Sequence, residues 1–228
     1  MELTLQRPNR RAVLRGTFAL GAIAFFAKGA FAEQLDRTPA VEEGPFYPYG
    51  KLPLDRDNDL IIVSNSTTPA VGEVAHVGGR LLDSAGNPVK DALIEIWQCD
   101  AKGVYLAEAD RGRADSHFQG YGRFTTGSSG EYRFRTIKPV PYSGRPAPHI
   151  HYKISRGDRE LLTTQLFIAG FPGNRRDGVF QRIRDPIDRE LVSADFKPIK
   201  DSKIGECAAR FDIVLGRTPA DADDHSHG

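Results

Sequence analysis

The stretch PYSGRPAPHIHYKI, residues 141–154, changes character halfway along. Its first half is rich in proline, glycine and serine and cannot sustain a hydrogen-bonded ladder. From His149 onward it alternates and is rich in β-formers, so the pattern predicts a strand. Successive strand side chains point to opposite faces, which puts His149 and His151 on one face while Ile150 turns into the opposite layer. Two imidazoles then converge on one point.

Outward from this strand, similar short segments recur. Val74 to Leu82, Ala92 to Gln98, Glu131 to Ile137, Leu161 to Ile168 and Ala209 to Leu215 are all strand-like, and Asp83-Ser84-Ala85-Gly86-Asn87-Pro88 is turn chemistry between the first two. Many short strands with Gly/Pro punctuation indicate an all-β protein, a β-sandwich. Long loops separate them at Asp100 to Gly130, Pro139 to Pro148 and Gly170 to Gly205, the last with a short helix expected around Asp185 to Ser193. Loops of this length in a compact domain are usually functional.

The ends read differently. Arg7, Arg10, Arg11 and Arg15 precede an apolar run from Gly16 to Ala27, and Ala30-Phe31-Ala32 has the small-x-small pattern of a signal-peptidase site. Residues 1–32 therefore read as an export signal of twin-arginine type, and the expected location is periplasmic or secreted. Residues 33–72, rich in proline and charge, read as an extended arm, residues 73–216 as the sandwich domain, and residues 217–228 as a disordered tail. Removing residues 1–32 takes away five basic and one acidic residue, leaving 26 Lys+Arg against 29 Asp+Glu and a net charge of −3. No nucleic-acid partner is expected from that balance, and no stable membrane span remains after signal removal. Cys99 and Cys207 lack CxxC spacing and do not make a structural zinc site; whether they form a bridge is open.

A chelating histidine pair needs further ligands. Cysteine is nearly absent and no HExxH occurs; the nearby candidates are Tyr105 and Tyr142. A phenol titrates near pH 10 in water and coordinates poorly while protonated, but a trivalent iron favours the ionised form.

Four ordered motifs carry a resemblance. Glu-Ile-Trp-Gln-Cys-Asp-Ala-Lys-Gly-Val-Tyr (95–105), Phe-Arg-Thr-Ile-Lys-Pro-Val-Pro-Tyr (134–142), Pro-His-Ile-His (148–151) and Leu-Thr-Thr-Gln-Leu-Phe-Ile (162–168) together resemble the intradiol ring-cleavage dioxygenases, nearest to their protocatechuate 3,4-dioxygenase type. The resemblance implies a mononuclear non-haem Fe(III) held by Tyr105, Tyr142, His149 and His151. It further implies catalytic roles for Tyr142, as the ligand that departs when a diol chelates, and for Gln165 and Arg145. The family usually places its arginine three residues before the first histidine; here Pro146 stands there and Arg145 lies one residue earlier, as if one residue were inserted. Pro45, in Glu43-Gly44-Pro45-Phe46-Tyr47, resembles a segment lining the substrate pocket, and Trp97 is expected to shield the iron. The implied reaction takes a small aromatic diol and O2 to a cis,cis-muconate-type diacid. A homo- or hetero-oligomer is compatible with the resemblance. Lys102, Arg111, Arg113 and Arg123 are the cations open to a substrate carboxylate.

Two other readings compete. Residues 77–89 also suit a transthyretin-like sandwich that binds without chemistry, and the histidine pair alone would suit zinc or copper. The four-ligand set is what separates the readings.

Overall fold

The computed structural model describes residues 35–63, 67–111 and 114–216, with side chains except at 109–111. The expected signal and tail lie outside the described residues. Two five-stranded sheets dominate. In the first, β1 (Val74–Leu82) pairs antiparallel with β4 (Glu131–Ile137) and parallel with β9 (Cys207–Arg210) and β10 (Ile213–Val214), while β8 (Lys197–Pro198) continues from β9. The second runs in the order β3 (Tyr121–Thr125), β2 (Leu93–Trp97), β5 (His149–Arg156), β6 (Arg159–Ile168), β7 (Ser193–Ala194).

Period-two burial explains the packing. Ile94 and Ile96 of β2, Ile150, Tyr152 and Ile154 of β5 and Leu166 of β6 are fully buried in one cluster with Ala75, Val77, Leu81, Tyr132 and Phe134 of the opposite sheet. Each such aliphatic side chain contributes ~1.5–3 kcal/mol through burial. Tyr132 and Tyr152 meet edge-on across this core at 6.1 Å. The other face of the second sheet is buried as well, under two smaller clusters: Trp97, Cys99, Tyr105 and Tyr121 on one side, and Val41, Ala147, Phe167, Val179, Phe180 and Val192 on the other. The second sheet is thus covered on both faces.

Several segments depart from the sequence reading. The stretch between Asp100 and Gly130 contains β3 and a 3₁₀ turn at Leu106–Arg111. The span Ala209 to Leu215 splits into β9 and β10: the Phe211 N bond to Gly78 O at 2.9 Å ends the first ladder, and the Asp212 carboxylate then accepts from Arg80 N at 2.9 Å before pairing resumes at Ile213. The loop after β6 holds, besides the short helix expected around Asp185 to Ser193, a 3₁₀ turn (Pro172–Arg176) and a further helix, so that α1 is Gly178–Arg182 and α2, the expected one, is Pro186–Leu191. The described part of the arm lacks regular strands but is packed, with Leu60 and Ile61 fully buried in the main core. Among the described residues no helix is long and apolar enough to cross a membrane.

Candidate metal centre and active site

Strand register builds the floor of the site. Trp97 of β2, His151 of β5 and Gln165 of β6 are direct neighbours across three strands, and His149 stands opposite Phe167 in the next row. All five are buried. The Trp97 indole stacks on the His151 imidazole, with centroids 4.8 Å apart and planes 8° from parallel.

Two loops deliver the phenols. After β2, the buried Asp100 carboxylate accepts from Lys102 N at 2.8 Å, Val104 N at 3.0 Å and Asp115 N at 2.7 Å. This satisfies the backbone of a tight loop that turns Tyr105 back over the sheet. Tyr142 comes from a turn closed by Arg145, described below. The Tyr105 oxygen lies 3.3 Å from His149 Nε2 and 3.1 Å from His151 Nε2. Tyr142 packs edge-on to Tyr105 at 5.3 Å and at 5.7 Å from the His149 ring. The structure thus brings Tyr105, Tyr142, His149 and His151 together.

Their electrostatics suit a cation. Burial, then the Arg145 charge, depresses the His149 imidazole to about 3, and burial, His149 and Arg145 hold His151 well below 6.5. Both rings are therefore neutral, the form that ligates metals. His149 Nδ1 lies 2.7 Å from the Ala147 carbonyl, the arrangement in which it donates there and leaves Nε2 with a free lone pair. The Tyr105 hydroxyl thus sits within hydrogen-bond distance of both Nε2 atoms. Burial, reinforced by Tyr142, pushes the Tyr105 phenol well above 10, and burial raises Tyr142 too; only a strong nearby positive charge would ionise them. His151 Nδ1 is buried without a hydrogen-bond partner. Two neutral imidazoles and two phenols fit a hard trivalent ion such as Fe(III). Among the described residues no three His, Cys, Asp or Glu side chains form a metal cluster, so tyrosine is indispensable to this reading.

Arg145 is drawn in despite its shifted place in the sequence. Its Nε donates to Asp177 Oδ2 at 2.9 Å and a terminal nitrogen donates to Gln165 Oε1 at 2.8 Å. Gln165 Nε2 in turn donates to the Glu42 carbonyl at 2.7 Å. Gln165 is fully buried, so it is not a solvent-facing strand residue. Asp177 carries no signal in the sequence. Its Oδ1 caps α1 by accepting from Val179 N and Phe180 N, both at 3.0 Å. Burial alone would raise this carboxyl, but the Phe180 amide, Arg145 and the Ala147 amide outweigh it and hold it below the usual range.

The arm closes the remaining side. A Cβ on Gly44 would stand 3.6 Å from His151 Cε1, and Phe46 stacks on Tyr105 at 4.6 Å and 13°. Pro45 occupies the turn between them. Phe46, which no motif points to, is the residue of this segment whose ring lies on a candidate ligand. Lys102 and Arg123 are exposed, whereas the Arg111 side chain and Arg113 lie outside the described residues. His76 pairs with Glu206 at 2.9 Å and His117 lies 3.9 Å from Asp115, both away from the cluster. Cys99 and Cys207 are free buried thiols.

Comparison with known proteins places this geometry in a class. The sequence model of the family described as Dioxygenase matches residues 42–217. The chain is 37% identical over 173 residues to the protocatechuate 3,4-dioxygenase beta chain of Burkholderia cepacia, covering 72% of each. It is 30% identical over 201 residues to the hydroxyquinol 1,2-dioxygenase of Corynebacterium glutamicum, covering 78% of this chain and 63% of that protein, so it spans slightly under two thirds of that relative. Among solved structures, the dioxygenase domain of a dioxygenase carbohydrate-binding fusion from Streptomyces sp. SirexAA-E is similar with a TM-score of 0.59 and 30% identity, over 80% of this chain and 100% of that one. The chain belongs to the intradiol ring-cleavage dioxygenases, a class of oxidoreductases. That membership sets aside the transthyretin-like binding module.

Proposed function

We propose that this protein cleaves a catechol-type diol between its two hydroxylated carbons, adding both atoms of O2 to give a cis,cis-muconate-type diacid. The observation that carries the proposal is the convergence of Tyr105 on the Nε2 atoms of His149 and His151, at 3.3 and 3.1 Å, with Tyr142 alongside. These four residues would hold a mononuclear Fe(III), which when bound supplies Lewis acidity and an electron sink for the diol and O2.

The chain's own residues do the rest. Tyr142 is half-buried where Tyr105 is fully buried, so its oxygen is the one suited to exchange with an incoming diol and accept a hydroxyl proton. Arg145, fixed between Asp177 and Gln165, presents a planar cation toward negative charge developing on the ring. Gln165 orients that guanidinium and ties it to the arm through Glu42. Trp97 and Phe46 keep water from two sides of the ligand cluster. The basic leader-like segment at residues 1–32 supports export, and the naming of the Burkholderia relatives as alpha and beta chains supports association with a second chain.

The test is isotopic. Iron-reconstituted protein incubated with catechol, protocatechuate or hydroxyquinol under ¹⁸O2 should yield a ring-opened diacid carrying two labelled oxygens. Iron-loaded, folded protein that consumes no O2 with any of the three would refute the proposal.

A further inference from the structure

One charged pair in the floor of the site is not used by the chemistry above. Lys153 of β5 and Glu95 of β2 are direct cross-strand neighbours, two residues along each strand from the Trp97 and His151 pair. Opposite charges in this register commonly pair with one another. Here each is taken by the arm. The Lys153 ammonium contacts the Glu43 carboxylate, and it lies 4.2 Å from the centre of the Tyr47 ring and 5.6 Å from that of Tyr49. Glu95 accepts from the Tyr47 hydroxyl at 2.8 Å and from the Tyr121 hydroxyl. Tyr49 also donates to Glu43, at 2.6 Å.

The segment between these anchors is the one that faces the ligand cluster. It makes no strand ladder of its own, so side-chain anchors set its height above the sheet. The Lys153 side chain is only 12% exposed, between the Glu43 carboxylate and two aromatic faces, with the half-exposed Glu160 carboxylate of β6 farther off at 3.8 Å. A lysine so covered stays charged because of those partners, and without it the Glu43 carboxylate loses its cation.

We infer that Lys153 is a positioning residue which, with Glu95, clamps segment 42–49 against His151 and Tyr105 and thereby shapes the wall that a diol meets. The inference rests on the proposed function for what the wall receives. The clamp itself is read out independently.

The experiment compares wild type, Lys153→Met, which keeps the aliphatic stem without the charge, and Lys153→Arg, which restores it. Hydrogen exchange of the purified protein should be about tenfold faster over residues 42–49 in the Met variant, and unchanged in β4. In steady state with the diol that wild type turns over, the loss should fall on KM rather than kcat, and the Arg variant should recover both readouts. Unchanged exchange over 42–49, or equal acceleration in β4, would overturn the clamp, as would loosening with no change in KM. If wild type cleaves no diol, the proposed function fails, and the exchange result alone decides whether Lys153 holds the segment.

Discussion

Tyr142 and Arg145 close a turn on one another: Tyr142 N donates to Arg145 O at 3.1 Å and Arg145 N to Tyr142 O at 2.9 Å. The candidate ligand and the candidate charge stabiliser are therefore placed by the same four-residue loop. Asp177 holds the Arg145 guanidinium from the other side. Replacing Arg145 with alanine should lower kcat by about 10²–10³ while leaving iron content unchanged. Steady-state kinetics alongside metal analysis check this; lysine, which cannot make the bidentate link between Asp177 and Gln165, should recover only part of the loss.

Gly103 sets how close the two tyrosine loops come. Its φ is +78°, and a Cβ there would stand 2.9 Å from Tyr142 Cβ. Gly103→Ala should therefore both strain the backbone and push Tyr142 away from the cluster. The expected result is a lower melting temperature together with a displaced visible band in the iron-loaded protein. A variant matching wild type in both would contradict the packing described.

Trp97 is fully buried, stacked on His151 and in edge contact with Tyr47 at 5.0 Å. Trp97→Ala should cost ~3–5 kcal/mol of stability, as large-to-small changes in a packed aromatic cluster do. Urea unfolding with the metal-free protein measures it directly.

The imidazoles give the metal-free protein a defined acid response. His149 titrates near 3 in the fold against 6.5 in the unfolded chain. Between those values only the unfolded chain gains the proton, so stability is complete above about pH 6.5 and falls as pH drops, by at most roughly 1.4 kcal/mol per unit for this residue. Urea midpoints should be level from pH 8 to 7 and decline from pH 6 to 4.

The parts of this molecule that obey a short period were readable from sequence. β1 and β4 run from Val74 to Leu82 and from Glu131 to Ile137 as their alternation predicts, and β5 begins at His149. β3 was hidden because Tyr121-Gly122-Arg123-Phe124-Thr125 is short, contains glycine, and owes its ladder to β2 alone. The two imidazoles share a face by local geometry, whereas Tyr105 reaches them across 44 and 46 residues of sequence. Resemblance supplied that link; alternation could not. Asp177 and Lys153 lie outside the four motifs, and nothing in the motifs assigns a part to Glu95 or Phe46. Their parts follow from tertiary contacts: one buried carboxylate gripping Arg145, one ring lying on Tyr105, and two charges holding the arm.

The central claim is that Tyr105 and Tyr142 act with the histidine pair as ligands of Fe(III). It is tested most directly by the visible absorption spectrum of the iron-reconstituted protein, recorded anaerobically before and after adding catechol or protocatechuate, beside Tyr105→Phe. The account predicts a reddish charge-transfer band, shifted by the diol that chelates and weakened or lost in the variant. Stoichiometric iron in a colourless wild-type protein would contradict it.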